Sequence, residues 1–222
     1  MAARRAPDTK AVVKVLLDRY GRTFAEEAEI KLADQPSPLY RLLVLSTLLS
    51  ARISADIAVA AARELSAAGY RTPQAMSDAS WQDRVDALGR GHYRRYDERT
   101  ATMLGRGADL LIDRWQGDLR KLRSEADRDP RRIAELLTEF PGIGPSGADI
   151  FLREVQAVWT EAAPHLDKKV LDGARKVGLP TASSELADLA GSGTKLARLA
   201  AALIRVSRGS RAAEEVVAAA GG

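Results

Sequence analysis

The chain has 222 residues, 45% of them hydrophobic, 29% charged and none cysteine. That length accommodates one or two small domains with a substantial core, and the lack of cysteine excludes disulfides, thiolate zinc sites and Cys-ligated clusters. Lys plus Arg number 34 against 30 Asp plus Glu, a formal net charge of +4 with a pI near 9.5, so the distribution of the cations carries more information than their total.

Apolar spacing predicts helices almost throughout and no strand. Val12, Val13, Leu16, Leu17 and Tyr20 mark the first; Leu42 to Ser50 is the second and Ala55 to Ala67 the third. Trp81, Val85 and Leu88 mark a fourth, and Met103, Leu104, Leu111 and Trp115 a fifth. Two more, marked by Ile133, Leu136, Leu137 and Phe140 and then by Phe151, Val155, Val158 and Trp159, are joined by a very short turn. A helix follows Asp167. One or two tail helices come after a break at Gly191-Ser192-Gly193, where Leu196, Leu199, Ala200, Leu203 and Ile204 form an apolar stripe. Turn signals at Pro36-Ser37-Pro38, Gly69, Thr72-Pro73, Gly117 and Gly178-Leu179-Pro180 separate the segments. No internal repeat or low-complexity tract stands out, and Ala218 to Gly222 is expected to fray. No run reaches the length of a transmembrane helix, and Met1-Ala2-Ala3-Arg4-Arg5-Ala6 lacks the apolar stretch of a signal peptide. The cytoplasm is therefore the expected compartment.

The most informative stretch is Phe140-Pro141-Gly142-Ile143-Gly144-Pro145-Ser146-Gly147-Ala148, between the two paired helices. Gly142 and Gly144 can take positive φ without steric cost, and Pro145 suits a first helical turn, where no amide donor is required. The amides at that helix start are expected to face solvent. Such a terminus carries roughly half a positive charge, which makes a phosphate oxygen a natural ligand. By itself the pattern also describes an ordinary helical corner without a ligand. Basic residues gather at Arg90, Arg94, Arg95 and Arg99, at Arg120, Lys121, Arg123, Arg131 and Arg132, and at Lys168 and Lys169. Each group also reads as a solvated face; if several touch phosphates, affinity falls steeply with salt. Asp167, ahead of Lys168-Lys169-Val170-Leu171, has the position of a helix N-cap.

Taken in order, these segments resemble the helix-hairpin-helix DNA glycosylase superfamily, in its endonuclease III-like branch, over roughly residues 37–178. Ser37-Pro38-Leu39 and the apolar helix Leu42 to Arg52 look like the family's "LLSAQ" helix. Gly91-His92-Tyr93 is similar to its Gly-x-Tyr turn, and the hairpin and the Asp167 segment follow at similar spacing. The resemblance implies an all-α, two-lobed fold with a cleft between the lobes. One lobe is a helical domain of residues 36–158 containing the hairpin; the other is built from residues 1–35 and 159–222. It implies a monomer that works at the nucleoid on double-stranded DNA carrying a damaged base, with no membrane partner. Gly142, Ile143, Gly144, Ser146 and Gly147, with Arg52, Lys168 and Lys169, are the DNA-binding residues it implies, and Asp167 the catalytic one. Many relatives hold an iron–sulfur cluster with four cysteines near the C-terminus. Here no such ligands exist, so no cluster is expected and packing alone must fix the tail. No metal-binding residue is expected, although the resemblance permits a monovalent cation on the hairpin carbonyls.

In that family the enzyme extrudes a damaged nucleotide, because the N-glycosidic bond is unreachable inside the base stack. As the base departs, the sugar develops oxocarbenium character, which a carboxylate can stabilise while it orients or deprotonates the attacking water. Asp167 matches the family's aspartate in order and distance from the hairpin. Bifunctional members carry a hairpin lysine, in a pattern like Gly-Val-Gly-Arg-Lys-Thr-Ala, whose amine forms a Schiff base with the sugar. Ser146 stands at that position, and a hydroxyl cannot form the imine, so AP lyase activity is expected to be weak or absent. Lys168 or Lys169 would be the substitute, but an exposed lysine amine is mostly protonated at neutral pH and poorly nucleophilic.

Adenine-specific relatives use a glutamate in the early helix where this chain places Thr47, which cannot protonate a purine. A base that already leaves easily is favoured instead, such as a cationic alkylated purine or an oxidised pyrimidine. Arg52 takes the place of a glutamine that fills the space left by the flipped nucleotide; it either does the same and contacts the orphan base or is a surface arginine at a helix end. His92 and Tyr93 line the cleft or serve packing. The expectation is thus a base-excision-repair hydrolase. The alternatives are a non-catalytic DNA-binding protein on a degenerate glycosylase scaffold and an all-α module for protein partners.

Overall fold

The computed structural model describes residues 8–191 and 193–221. The Met1–Ala6 segment, Ser192 of the expected break and Gly222 at the expected frayed end lie outside them. The described residues form fourteen α-helices, one short 3₁₀ turn and no strand. In chain order the helices are α1 (Thr9–Tyr20), α2 (Phe24–Glu27), α3 (Pro36–Ser50), α4 (Ala55–Ala67), α5 (Pro73–Asp78), α6 (Trp81–Arg90) and α7 (Asp97–Trp115). There follow α8 (Leu119–Glu125), α9 (Pro130–Leu137), α10 (Pro145–Val155), α11 (Lys168–Lys176), α12 (Ser183–Ala190), α13 (Gly193–Ser207) and α14 (Ser210–Ala220).

Short polar residues start many of them. Asp8, Ser54, Thr72, Ser80, Asp118, Asp129 and Asp167 each accept a hydrogen bond from an amide two or three residues on, which satisfies donors that the first helical turn leaves without a partner. Two of the expected turns are in fact helix starts. Pro36 is the first residue of α3 and Pro73 the first of α5, behind its Thr72 cap. A first turn needs no amide donors, so prolines are accommodated there.

Two compact units emerge, Phe24–Val155 and the described residues of Met1–Thr23 with Gln156–Gly222. The sequence boundaries were expected at 36 and 158. Segment 24–35 instead belongs to the central unit because its backbone is held there. The Glu154 carboxylate accepts from Phe24 N at 3.2 Å and Ala25 N at 3.0 Å. Arg41 donates to Glu29 O at 3.0 Å, and Arg63 to Glu27 O at 2.6 Å. At the other end α10 stops at Val155, short of Val158 and Trp159, and Gln156 exchanges two hydrogen bonds with the backbone of His165.

The core of the central unit is α3. Leu39, Tyr40 and every residue from Leu42 to Leu48 are buried, the pattern of a helix enclosed on all sides. It packs chiefly against α10 and α4. In the other unit α13 is central, with α11 and α1 against it. Val12, Leu16, Val170, Ala174, Leu199 and Leu203 meet there, each essentially inaccessible. Gly173 allows the closest approach: a Cβ at that position would lie 2.1 Å from Leu203 O. Arg198 and Arg205 of α13 donate to Gly21 O and Tyr20 O at 3.0 and 3.1 Å, satisfying carbonyls at the end of α1.

Candidate functional site

The turn between α9 and α10 is held from below. Phe140 stacks on Trp115 of α7 with ring centroids 5.5 Å apart and an interplanar angle of 20°. Trp115 Nε1 donates to Glu125 at 2.7 Å. Arg114, 4.5 Å from the Trp115 ring centroid, pairs with both Glu125 and Glu139. Ile143 is buried, and its amide closes the turn onto Phe140 O at 3.0 Å.

Gly142 has φ +88°, and a Cβ there would lie 2.9 Å from Met103 Sδ and 3.2 Å from Thr47 Cγ2. Glycine is thus required both for backbone conformation and for space. Gly144 does not share the positive φ expected of it; its carbonyl instead accepts from Gly147 N at 2.9 Å and Ala148 N at 3.0 Å, starting α10. A Cβ at Gly147 would lie 2.6 Å from Ser50 Oγ, so this glycine lets α10 close on α3. Gly142, Gly144 and Ser146 are exposed, and no acceptor among the described residues takes their amide hydrogens. Three backbone donors are therefore presented on one short turn at a helix N-terminus.

Beside that turn lies an open groove of about 290 Å³, lined by Thr47, Ser50, Ala51 and Arg52 from the end of α3, by Gly142, and by Tyr93, Tyr96, Arg99, Thr100 and Met103. The Thr47 and Ser50 hydroxyls donate to Leu43 O and Ser46 O at 3.0 and 2.6 Å. Tyr93 is 1% exposed; Thr100 Oγ1 donates to its hydroxyl at 3.5 Å, and burial raises its phenol above the usual tyrosine range. The Gly91-His92-Tyr93 turn is tight. A Cβ at Gly91 would lie 2.4 Å from Ala61 Cα, and His92 has φ +61° and is exposed outside the groove lining.

The arginines sort into two sets. Arg52, Arg94, Arg95 and Arg99 are exposed, with no carboxylate partner among the described residues, and Arg95 lies 5.2 Å from the Tyr96 ring centroid. In contrast Arg90, Arg120, Arg123 and Arg132 are paired with Glu64, Asp118, Asp34 and Glu135, and Lys121 hydrogen-bonds Gln116. The expected basic cluster of α8 and α9 is thus largely neutralised by its own acids.

No protein-family model matches the chain, and no curated protein sequence does. Solved structures do resemble it. A trapped endonuclease III–DNA covalent intermediate, an estranged-adenine complex, is 16% identical, aligned over 89% of this chain and 85% of that one with a TM-score of 0.47. A non-covalent endonuclease III–DNA complex is 17% identical over the same shares, with a TM-score of 0.48. At these identities and scores the likeness assigns no activity and no ligand to this chain.

Of the residues singled out by sequence, the central unit brings together Arg52, Gly142, Ile143, Gly144, Ser146 and Gly147. Asp167, Lys168 and Lys169 belong to the other unit, at the start of α11. Asp167 caps that helix: its Oδ1 accepts from Lys169 N at 2.9 Å and Val170 N at 3.1 Å. Lys168 and Lys169 are exposed. Tyr96, Thr100 and Met103 were not singled out as site residues, and Arg99 appeared only within a basic cluster. The signal was available: positions 96, 99, 100 and 103 at the start of α7 follow the i, i+3, i+4, i+7 spacing that shares one helical face.

Proposed function

We propose that this protein is a DNA repair glycosylase that hydrolyses the N-glycosidic bond of a damaged base flipped out of duplex DNA, with weak or no AP lyase activity. One observation carries the reading: the three unpartnered amides of Gly142, Gly144 and Ser146 stand beside a groove lined by the unpaired arginines Arg52 and Arg99. A helix N-terminus with free amides suits a phosphate oxygen, and a small recess beside it suits one extruded nucleotide. The order of the sequence motifs supports the same reading.

In this reading the hairpin amides grip the backbone. Asp167 stabilises positive charge on the sugar as the base leaves, and accepts a proton from the water that attacks C1′. Its cap hydrogen bonds fix the orientation of the carboxylate. Lys168 and Lys169 contact phosphate. Ser146 supplies no amine, which favours hydrolysis over imine formation at the sugar.

The test is incubation with duplexes carrying single defined lesions, each reaction analysed with and without hot alkali, alongside Asp167→Asn. Breaks that need alkali and vanish in the variant are expected. Borohydride should trap no covalent complex; a trapped one would refute the hydrolytic reading. Tight, salt-sensitive binding with no base release would make the protein a DNA-binding scaffold instead.

A further inference from the structure

The groove beside the hairpin has a one-sided chemistry. Among the described residues that line it there is no aspartate, glutamate or histidine, whereas two guanidiniums, Arg52 and Arg99, lie on its wall without carboxylate partners. The hydroxyl protons of Thr47 and Ser50 are already given to Leu43 O and Ser46 O. Tyr93 is buried, and burial makes its phenol hold its proton more tightly. Arginine remains charged throughout the accessible pH range. The lining thus holds no carboxylic acid or imidazolium to protonate a departing base, its one remaining donor of that kind being the Tyr96 phenol, a weak acid, and two groups, Arg52 and Arg99, are suited to stabilise negative charge.

That combination discriminates among leaving groups. A cationic alkylated purine would meet two fixed positive charges and no carboxylate in the groove lining. A base that must be protonated as it leaves would find only a weak acid. A base that departs as a delocalised anion finds counter-charge already in place.

We propose that the groove takes a 2,4-dioxopyrimidine with an intact 5,6 double bond, and that Arg52 and Arg99 stabilise it as it departs as an anion. The inference rests on the glycosylase reading. The C1′–N1 bond breaks with both electrons staying on N1, where the charge is shared directly with the adjacent C2 carbonyl oxygen and, through the 5,6 double bond, with the C4 carbonyl oxygen. Water oxygen bonds to C1′, its proton passes to Asp167, and the released base takes a proton from solvent. A ring saturated at C5–C6 loses the path to C4 and is a poorer leaving group.

Single-turnover rates would be measured on duplexes with one thymine, uracil or 5-fluorouracil opposite guanine, in order of increasing leaving-group acidity, and with 5,6-dihydrouracil or 7-methylguanine. The rate is expected to rise along the first three, to fall for dihydrouracil relative to uracil, and to vanish for 7-methylguanine. Arg99→Gln should slow uracil release by about tenfold to a hundredfold and 5-fluorouracil release by less, because the more acidic base depends less on the guanidinium. Arg99→Lys should recover part of the loss, and Arg52→Gln should show the same uneven loss. Release of 7-methylguanine, dihydrouracil leaving faster than uracil, or losses in both glutamine variants equal across all bases would overturn the inference and leave the glycosylase reading standing. No Asp167-dependent release from any duplex would overturn both.

Discussion

Replacing Asp167 by asparagine keeps a side-chain oxygen for the Lys169 and Val170 amides while removing the negative charge. Replacing it by alanine removes both. Asparagine is as good an N-cap as aspartate, so Asp167→Asn is expected to lose base release with little change in stability. Asp167→Ala should lose base release and about 1 kcal/mol of stability as well. Chemical denaturation beside the activity assay separates cap from charge. At this scale the sequence was only partly legible. Asp167 and the hairpin glycines stand in recognisable local patterns, but the groove residues of α7 show their role only once Gly142 packs on Met103 and Thr47, contacts that join three separate stretches of chain. Nor can spacing tell a free arginine from one paired across the chain: Arg99 and Arg123 look alike until Asp34, 89 positions away, is seen beside the second.

The hairpin glycines make distinct demands on their elements. Gly142→Ala places a side chain at φ +88° and within 3.2 Å of both Met103 and Thr47, and should cost about 1–3 kcal/mol. Gly144→Ala meets nothing within 4 Å and needs no unusual φ, so its denaturation midpoint should stay near that of the parent. Long periodic helices such as α1, α4 and α7 were readable because an apolar stripe repeats over three or more turns. Four short ones, α2, α5, α8 and α12, were not. α2 has four residues and is held in place by a carboxylate 127 or more positions away, and α5 hides behind a Thr-Pro pair that also signals a turn.

For the molecule as a whole, the division of its arginines predicts how it meets a polyanion. Each phosphate contact contributes about −0.9 to the slope of log affinity against log salt. Substituting both Arg94 and Arg95 by glutamine should therefore flatten the slope by up to about 2, while the same change at Arg120 and Arg132, already paired with acids, should leave it nearly unaltered. Acid acts on a different set of groups. The hydrogen bond from Arg114, helped by that from Trp115, holds the Glu125 carboxyl below its ordinary value of 4.5. A carboxylate whose folded pKa is depressed adds stability that is present above its unfolded pKa and lost as pH falls through the lower folded value. The urea midpoint is thus expected to drop as pH falls below about 4.5, and less steeply in Glu125→Gln. The all-helical class was plain from periodicity. The place where the chain divides was not, because long-range hydrogen bonds, buried ones accepted by Glu154 and others donated by Arg41 and Arg63, set it.

The interruption of one unit by the other also dictates an order of events during synthesis. Residues 24–155 leave the ribosome as a complete set of mutually packing helices before α13 is made, and domains generally fold as units from the N-terminal side. Through that interval α1 lacks α13, the helix it chiefly packs against, and the carbonyls of Tyr20 and Gly21 await Arg205 and Arg198, made about 180 residues later. The nascent chain therefore carries an amphipathic helix whose packing against its own unit is completed only when the last third emerges.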